Sequence, residues 1–141
     1  MIGGFSIDKL EVEKKVHDFK GKVSIKNSLK IKDVKEEQTP FKDKKTALRF
    51  SFEYSVDYAP KLASITINGS IIYISNDSDE IIKEFKKSKK ITNQKVSIAV
   101  MNAISDKCNI RALELSQDVN IPSPFNLPKL NFKSSAANYI G

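Results

Sequence analysis

The clearest pattern in the chain is a strict alternation of apolar and polar residues between Leu48 and Tyr58. Every second residue is apolar, as at Phe50 and Phe52, and the residues between are polar or charged. Because successive side chains of a β-strand point to opposite faces, this period of two predicts a long antiparallel strand with one buried and one solvated face. Residues 63–73 alternate in the same way and predict the next strand.

Two weaker strand patterns precede this pair. Apolar residues alternate within residues 5–16, and their phase slips once between Ile7 and Leu10, which predicts a strand with a bulge. Residues 23–32 alternate apolar residues with lysine and serine and predict a strand with a wet, basic face. The polar residues 33–45 adopt no new period and predict a long connection between strands.

Helical spacing appears after the four strand patterns. Ile81, Ile82 and Phe85 predict a short helix, and residues 96–115 predict a long helix that is apolar on two faces. We expect one face of the long helix to pack on the sheet and the other on a copy of this chain or on a partner. The predicted fold class is α+β: a four-stranded antiparallel sheet with a short and a long helix packed on one face and an extended proline-containing C-terminal arm.

Length and composition fit a single domain formed by residues 1–141, of which 40% are hydrophobic. The net charge of +7 comes almost entirely from lysines and would attract polyanions or acidic surfaces. The chain begins without a basic segment followed by an apolar one, and no apolar run approaches the roughly 20 residues of a membrane span. We therefore expect a cytoplasmic protein without membrane insertion, and the single cysteine, Cys108, suits a reducing compartment.

Residue patterns for catalysis or metal binding are missing from the sequence. His17 is the only histidine and Cys108 the only cysteine, so the chain cannot complete a tetrahedral zinc site from nitrogen and sulfur ligands. Neither a glycine-rich phosphate loop nor a nucleophile elbow is present. The sequence therefore favours a protein that is not an enzyme and that uses no cofactor or metal.

The segment after the long helix combines prolines with large apolar residues. Three prolines between Ile121 and Phe132 forbid a helix or a central strand, so this segment should run as an extended arm. Its apolar side chains belong to no periodic element, and we expect them to lie along an apolar surface. Such an arm would act as a lid or a clasp.

The order of these elements, together with the C-terminal residues, resembles the SecB-type protein-export chaperones. The family's arm ends in a pattern like Leu-x-Pro-Val-Asn-Phe, which is followed by Asn-Tyr-Leu. The similar residues here, with the proline displaced by one position, are Leu127, Pro128, Lys129, Leu130, Asn131 and Phe132, followed by Asn138, Tyr139 and Ile140. The resemblance implies a homo-oligomer, dimer or tetramer, that holds unfolded polypeptide in apolar grooves, either for export or to guard an antitoxin. Export members carry carboxylates on the outer sheet face for docking the translocation motor, whereas here that face is expected to be lysine-rich.

The resemblance also implies where a polypeptide client would bind. The outer wall of the groove is expected to consist of Pro122, Pro124, Phe125 and Leu127. Part of the floor is expected to consist of Phe52, Tyr54, Ile72 and Ile74. Alternating aromatic residues on a strand also suit an ordinary core, so a plain core is the alternative for the floor residues.

Two other functions stay open at this point. The lysines of residues 86–90 and of the second predicted strand could contact the phosphates of a nucleic acid, although no aromatic residues interleave with them as in RNA-binding motifs. A solvated lysine face that keeps the protein soluble is the simpler interpretation. The chain could also be a structural subunit that uses its second helix face only for assembly.

Overall fold

Four long strands form one antiparallel sheet in the computed structural model, which describes residues 2–19, 21–37 and 46–125. The elements are β1 (Ile2–Lys14), β2 (Ser24–Glu37), β3 (Thr46–Ala59), β4 (Ala63–Ser75), α1 (Ser78–Ser88) and α2 (Gln94–Asp118). The strand order is β1-β4-β3-β2, so β3 and β4 are central and β1 and β2 form the edges. The predicted α+β fold class, with a short and a long helix after four antiparallel strands, is confirmed.

The core lies between one face of the sheet and the two helices. Alternate residues of β3 are buried on this face, and their partners on β4 point the same way, as Phe50 does with Ile71 and Tyr54 with Ile67. The helix α2 closes the core with a stripe of buried residues about four apart, namely Val96, Val100, Ile104, Cys108, Ala112 and Leu115. Spacing near 3.6 residues per turn keeps these side chains on one side of the helix. We call the face of the sheet that packs against the two helices the inner face.

The opposite, outer face of the sheet is polar. On β3 it carries Arg49, Ser51, Glu53, Ser55 and Asp57, which alternate with the buried residues. No helix of the described chain lies among these residues, and Lys32 of β2 reaches across to the Glu53 carboxylate at 3.7 Å. The alternation predicted for β3 is therefore confirmed on both faces.

The predicted irregularity of β1 is confirmed at the predicted place. The pairing between β1 and β4 shifts register between Ile7 and Lys9, which marks a bulge. Gly69 lies opposite Ile7, and a Cβ atom there would come within 2.2 Å of the Ser6 carbonyl oxygen and 2.9 Å of the Phe52 ring. Only a residue without a side chain allows β1 to approach β4 this closely.

The prediction that residues 33–45 form a connection is wrong for residues 33–37, which continue β2. A bulge between Ile31 and Asp33 resets the phase of the strand, and Val34 is then buried opposite Phe50 on the inner face. The sequence does not predict this part of the strand because Val34 is its only apolar residue, and this residue packs near α1. The strand is held instead by backbone hydrogen bonds to β3. Residues 38–45 lie outside the described part of the chain.

None of the helices in the described residues is both long and apolar enough to span a membrane.

Candidate functional site

The chain leaves α2 through a turn that aims the following arm back onto the sheet. Asn120 adopts a left-handed φ of 58°, the Ile121 N–H donates to the Ser116 carbonyl at 2.9 Å, and the Asn120 N–H donates to the Gln117 carbonyl at 3.3 Å. This pair of bonds is a Schellman motif, which satisfies the last free carbonyls of a helix. Ile121 is buried, so the first residue of the arm is anchored in the core.

Tyr58 ties the next part of the arm to the sheet. Its hydroxyl donates a hydrogen bond of 2.7 Å to the Pro122 carbonyl oxygen, although the two residues belong to distant parts of the sequence. Burial, with a smaller contribution from Tyr54, raises the pKa of Tyr58 to about 12. The hydroxyl therefore stays protonated at neutral pH and remains available as a donor.

Apolar side chains from three segments converge on Tyr58. Phe19, in the loop between β1 and β2, contacts the Tyr58 ring edge-on with 6.5 Å between ring centroids. Ile25 on β2 pairs with Tyr58 and is 36% exposed. Pro122, whose carbonyl oxygen accepts the hydrogen bond from Tyr58, is exposed. We call this set, formed by Phe19, Ile25, Tyr58 and Pro122, the Tyr58 corner.

Three of these residues, Phe19, Ile25 and Tyr58, were missed by the sequence prediction of the site. Phe19 falls in a segment that reads as a turn, and Ile25 reads as an ordinary inward-facing strand residue. An aromatic residue within a polar turn was the available signal for Phe19. For Ile25 the sequence held no signal, because alternation places it on the same face as the other apolar residues of β2 and does not show what covers that face.

The three described residues among the four predicted for the groove wall occupy different environments. Pro122 is exposed and Phe125 is half-buried, so both present surface to solvent. Pro124 is fully buried and holds the arm against the protein from inside. Leu127 lies outside the described residues. Contact of these residues with a polypeptide stays a prediction.

Phe52 and Tyr54, predicted for the groove floor, face the helices and are 1% and 3% exposed. The Phe52 ring stacks on Phe5 of β1 with 5.5 Å between centroids. The Tyr54 hydroxyl donates to the Asn109 side-chain oxygen of α2 at 2.7 Å, and burial raises the pKa of Tyr54 to about 12. Both residues are part of the core in this conformation, and a client would reach them only if α2 moved.

Ile72 and Ile74, the other predicted floor residues, point to the outer face because they pair with Arg49 and Ala47 of β3. Both are half-buried at the end of the sheet where β1 begins. A Cβ atom at Gly3 would lie 2.9 Å from the Ile74 side chain, so this part of β1 leaves room for the isoleucines to lie across it. The four floor residues therefore divide between two faces and do not form one surface within a single chain.

The outer face carries balanced charges. Arg49 donates two hydrogen bonds to the Glu37 carboxylate, at 2.9 and 3.0 Å, and a third to Ser70. Lys32 of β2 lies 3.7 Å from the Glu53 carboxylate. The outer-face lysines of β2 thus face carboxylates on β3, which limits any uniform positive potential on this surface.

The described residues bring no metal-ligand cluster together, and the cysteine among them is buried. No cluster of three or more histidine, cysteine, aspartate or glutamate residues in these segments could hold a metal ion. Cys108 is buried within α2, and burial raises its pKa to about 12. Its thiol is therefore protonated at physiological pH and a poor nucleophile. What the described surface offers is apolar contact area and free strand edges.

No protein-family model matches the chain, and no curated protein matches it in sequence. Among solved structures, the chain is similar to the Mycobacterium tuberculosis Rv1957 SecB-like chaperone, in a complex with a ChAD peptide from the Rv1956 HigA1 antitoxin. The TM-score is 0.53 and the sequence identity is 10%, over 93% of this chain and 90% of that chain. A similarity that spans nearly all of both chains at this identity shows a shared fold. The chain therefore has the fold of a SecB-like chaperone.

Proposed function

We propose that this protein is a non-enzymatic cytoplasmic chaperone that holds unfolded polypeptide, formed by a single SecB-like domain and assembled as a homo-oligomer, dimer or tetramer. The observation that carries the proposal is the Tyr58 corner, where apolar side chains from a loop, an edge strand and the arm stay partly exposed. The fold similarity to a SecB-like chaperone in complex with a peptide supports the same interpretation.

The physical requirements of a holding chaperone agree with this surface. Such a protein must keep apolar area accessible without aggregating, and the net charge of +7, carried mostly by lysines, favours solubility. Each contact with an unfolded chain is weak, but several copies of the site on one oligomer act on the same client. The effective concentration of the remaining sites then raises the overall affinity without new contacts.

Assembly is supported by the exposed side of α2. Ile98 and Ile110 are 60% and 61% exposed there, on the side away from the core. Exposed isoleucines on a helix that already covers the sheet favour a second contact surface, as its two-faced apolar pattern suggests. We expect Ile98→Asp with Ile110→Asp to dissociate the oligomer in sedimentation velocity. Asn102→Asp, on the same side of α2, should leave it intact, and a wild-type monomer at micromolar concentration would contradict this part of the proposal.

The function is tested by suppression of aggregation of a chemically unfolded client protein. Ile25→Asp places a charge in the Tyr58 corner and should reduce suppression roughly fivefold, the effect of losing about 1 kcal/mol of contact. Leu10→Asp is the matched control, because Leu10 is 39% exposed against 36% for Ile25 and lies on the opposite edge of the sheet. Equal suppression of aggregation by both variants would show that the Tyr58 corner is not the client-binding surface. No suppression by the wild type would refute the proposed function.

Two client classes fit the proposal. Preproteins are implied by the family resemblance, and the M. tuberculosis chaperone is in complex with an antitoxin peptide. Identification of the chains that co-purify with the tagged protein separates the two classes.

A further inference from the structure

An apolar cavity with a lysine rim lies along the outer edge of β2. Its volume is about 530 Å³, and it is bounded by β2 on one side and by the connection between α1 and α2 on the other. The residues that line it are Leu29, Lys30, Ile31, Lys89, Lys90, Ile91, Ser97 and Met101. We call this cavity the β2 groove.

The charges of the β2 groove are all positive. Lys30, Lys89 and Lys90 supply them, and none has a carboxylate within ion-pair distance among the described residues. A second cavity of about 680 Å³ continues along β2 beside α1, but it is lined by carboxylates as well as lysines. The first cavity therefore has a sign preference that its neighbour does not share.

The backbone of β2 adds a second kind of recognition. β2 ends the sheet, and within the described ranges no strand pairs with its outer edge. Such an edge offers free N–H and C=O groups to an extended segment of another chain. Side chains of an added strand would alternate, with every second one turned towards the inner face and the others towards the outer face.

The two sides of β2 would meet these two sets of side chains with different chemistry. Leu29 and Ile31 point to the inner face, where Ile91 and Met101 of the helical layer complete the apolar floor of the groove. On the outer face, Lys26 and Lys30 are the long side chains beside the edge, opposite Asp57 and Glu53 of β3. An added strand with apolar residues inward and acidic residues outward would satisfy both sides, because unlike charges on neighbouring strands attract.

We propose that the β2 groove binds an extended segment of client polypeptide in which apolar and acidic residues alternate. This inference rests on the proposed holding function and names the client sequence that one part of the surface prefers. The Tyr58 corner is next to the groove along β2, since its residue Ile25 precedes Leu29 on the inner face of that strand. A client could therefore follow β2 from the corner into the groove.

The test measures binding of three short fluorescent peptides to the full-length protein by anisotropy. The first alternates valine with glutamate, the second alternates valine with lysine, and the third has the composition of the first with its valines grouped together. The alternating acidic peptide should bind best, because only it places all its valines on one face and its carboxylates on the other. Raising the salt concentration should weaken its binding, since exposed charge pairs are screened.

Charge reversal locates the site. Lys26→Glu with Lys30→Glu should weaken binding of the alternating acidic peptide roughly tenfold, as two attractive contacts on the outer face become repulsive. Lys15→Glu with Lys87→Glu is the matched control, because it changes the net charge equally at exposed lysines outside β2. This control should change the affinity less than about twofold.

Three results with the peptides would overturn the inference. These are an equal loss of affinity in both double variants, equal affinity of the wild type for the acidic and basic peptides, or equal affinity for the alternating and grouped acidic peptides. Polyuridine is a further probe, and if it bound more tightly than the acidic peptide and lost affinity in the same double variant, the groove would be a nucleic-acid site. Failure here leaves the proposed function standing if the wild type still suppresses aggregation and Ile25→Asp impairs it. Loss of suppression in the wild type would instead remove the function itself.

Discussion

On the inner side of β3, Phe50, Phe52 and Val56 are at most 1% exposed, whereas the outer side of the same strand carries Ser51 and Ser55, which are half-buried and polar. One strand thus takes part in two surfaces with different energetics. The inner surface gains stability from apolar area removed from water, and the outer surface holds hydrogen-bonding groups that lose little when exposed. Substitutions should therefore damage folding on one side and mainly alter surface chemistry on the other.

The largest expected contrast lies between two neighbouring residues. Phe50→Ala should lower the free energy of unfolding by about 3–5 kcal/mol, because it leaves a cavity between β3 and the helices. Ser51→Ala, on the opposite side of the sheet, should change it by less than about 0.5 kcal/mol. Urea unfolding followed by circular dichroism measures both values, and similar losses would show that the two faces do not differ as described.

Gly69 offers the next largest effect, because the inner face leaves no space for a side chain there. Gly69→Ala should cost about 1–3 kcal/mol or more, since its Cβ would lie 2.2 Å from the Ser6 carbonyl oxygen and β1 would have to move away. Asn68→Ala, whose side chain lies on the outer face, is the matched control. Thermal unfolding of both variants tests this, and a wild-type midpoint for Gly69→Ala would contradict the close approach of β1.

Alkaline pH should lower the stability of the protein through Tyr54 on the inner face. Burial raises the pKa of Tyr54 from 10.0 to about 12, so the folded state keeps a proton that the unfolded state loses. The resulting stability is present below about pH 10 and should disappear as the pH rises towards 12. Tyr54→Phe loses the hydrogen bond to Asn109, about 0.5–1.5 kcal/mol at neutral pH, yet its stability should fall less between about pH 9 and pH 11.5. An identical alkaline decline in the variant would argue against a buried Tyr54 hydroxyl.

Acid pH should lower the stability of the protein through Glu37 on the outer face, and this is the smallest of the expected effects. Hydrogen bonds from Arg49 hold the pKa of Glu37 below its ordinary value of 4.5. Stability from this pair is present above pH 4.5 and is lost as the pH falls through the lowered pKa. Glu37→Gln should reduce the decline in unfolding midpoint between about pH 5 and pH 2, an effect that added salt weakens because the pair is exposed. A decline unchanged by the substitution would show that the pair contributes no stability.

The alternation of β3 and the bulge in β1 were readable in the sequence because each repeats a local rule over many residues. The start of α2 was less readable: the sequence predicts Thr92 as the N-cap, but the structure uses Asn93, whose side chain accepts a hydrogen bond from the Val96 N–H at 3.3 Å. The end of β2 was unreadable, because residues 33–37 have one apolar position and depend on pairing with β3.

The candidate site was harder to predict than the fold. Prolines and large apolar residues identified the arm, and its first residues do lie against the sheet at Tyr58. Phe52 and Ile72 both read as apolar strand residues, yet they point to opposite faces, because Phe52 pairs with Gly69 while Ile72 pairs with Arg49. A single strand pattern shows that two faces exist but cannot show which face of one strand meets which face of the next.

The sequence by itself determined the four strands and two helices of the described residues, the buried face of β3, the buried stripe of α2, the lysine excess and the prolines of the arm, since each follows from local periodicity or from the chemistry of single residues. Only the tertiary structure decided that Phe19, Ile25 and Pro122 meet at Tyr58, and that lysines from β2 and from the α1–α2 connection border one apolar groove. These contacts are between residues far apart in the chain. Because strand register and helix packing determine them, no local sequence pattern predicts them.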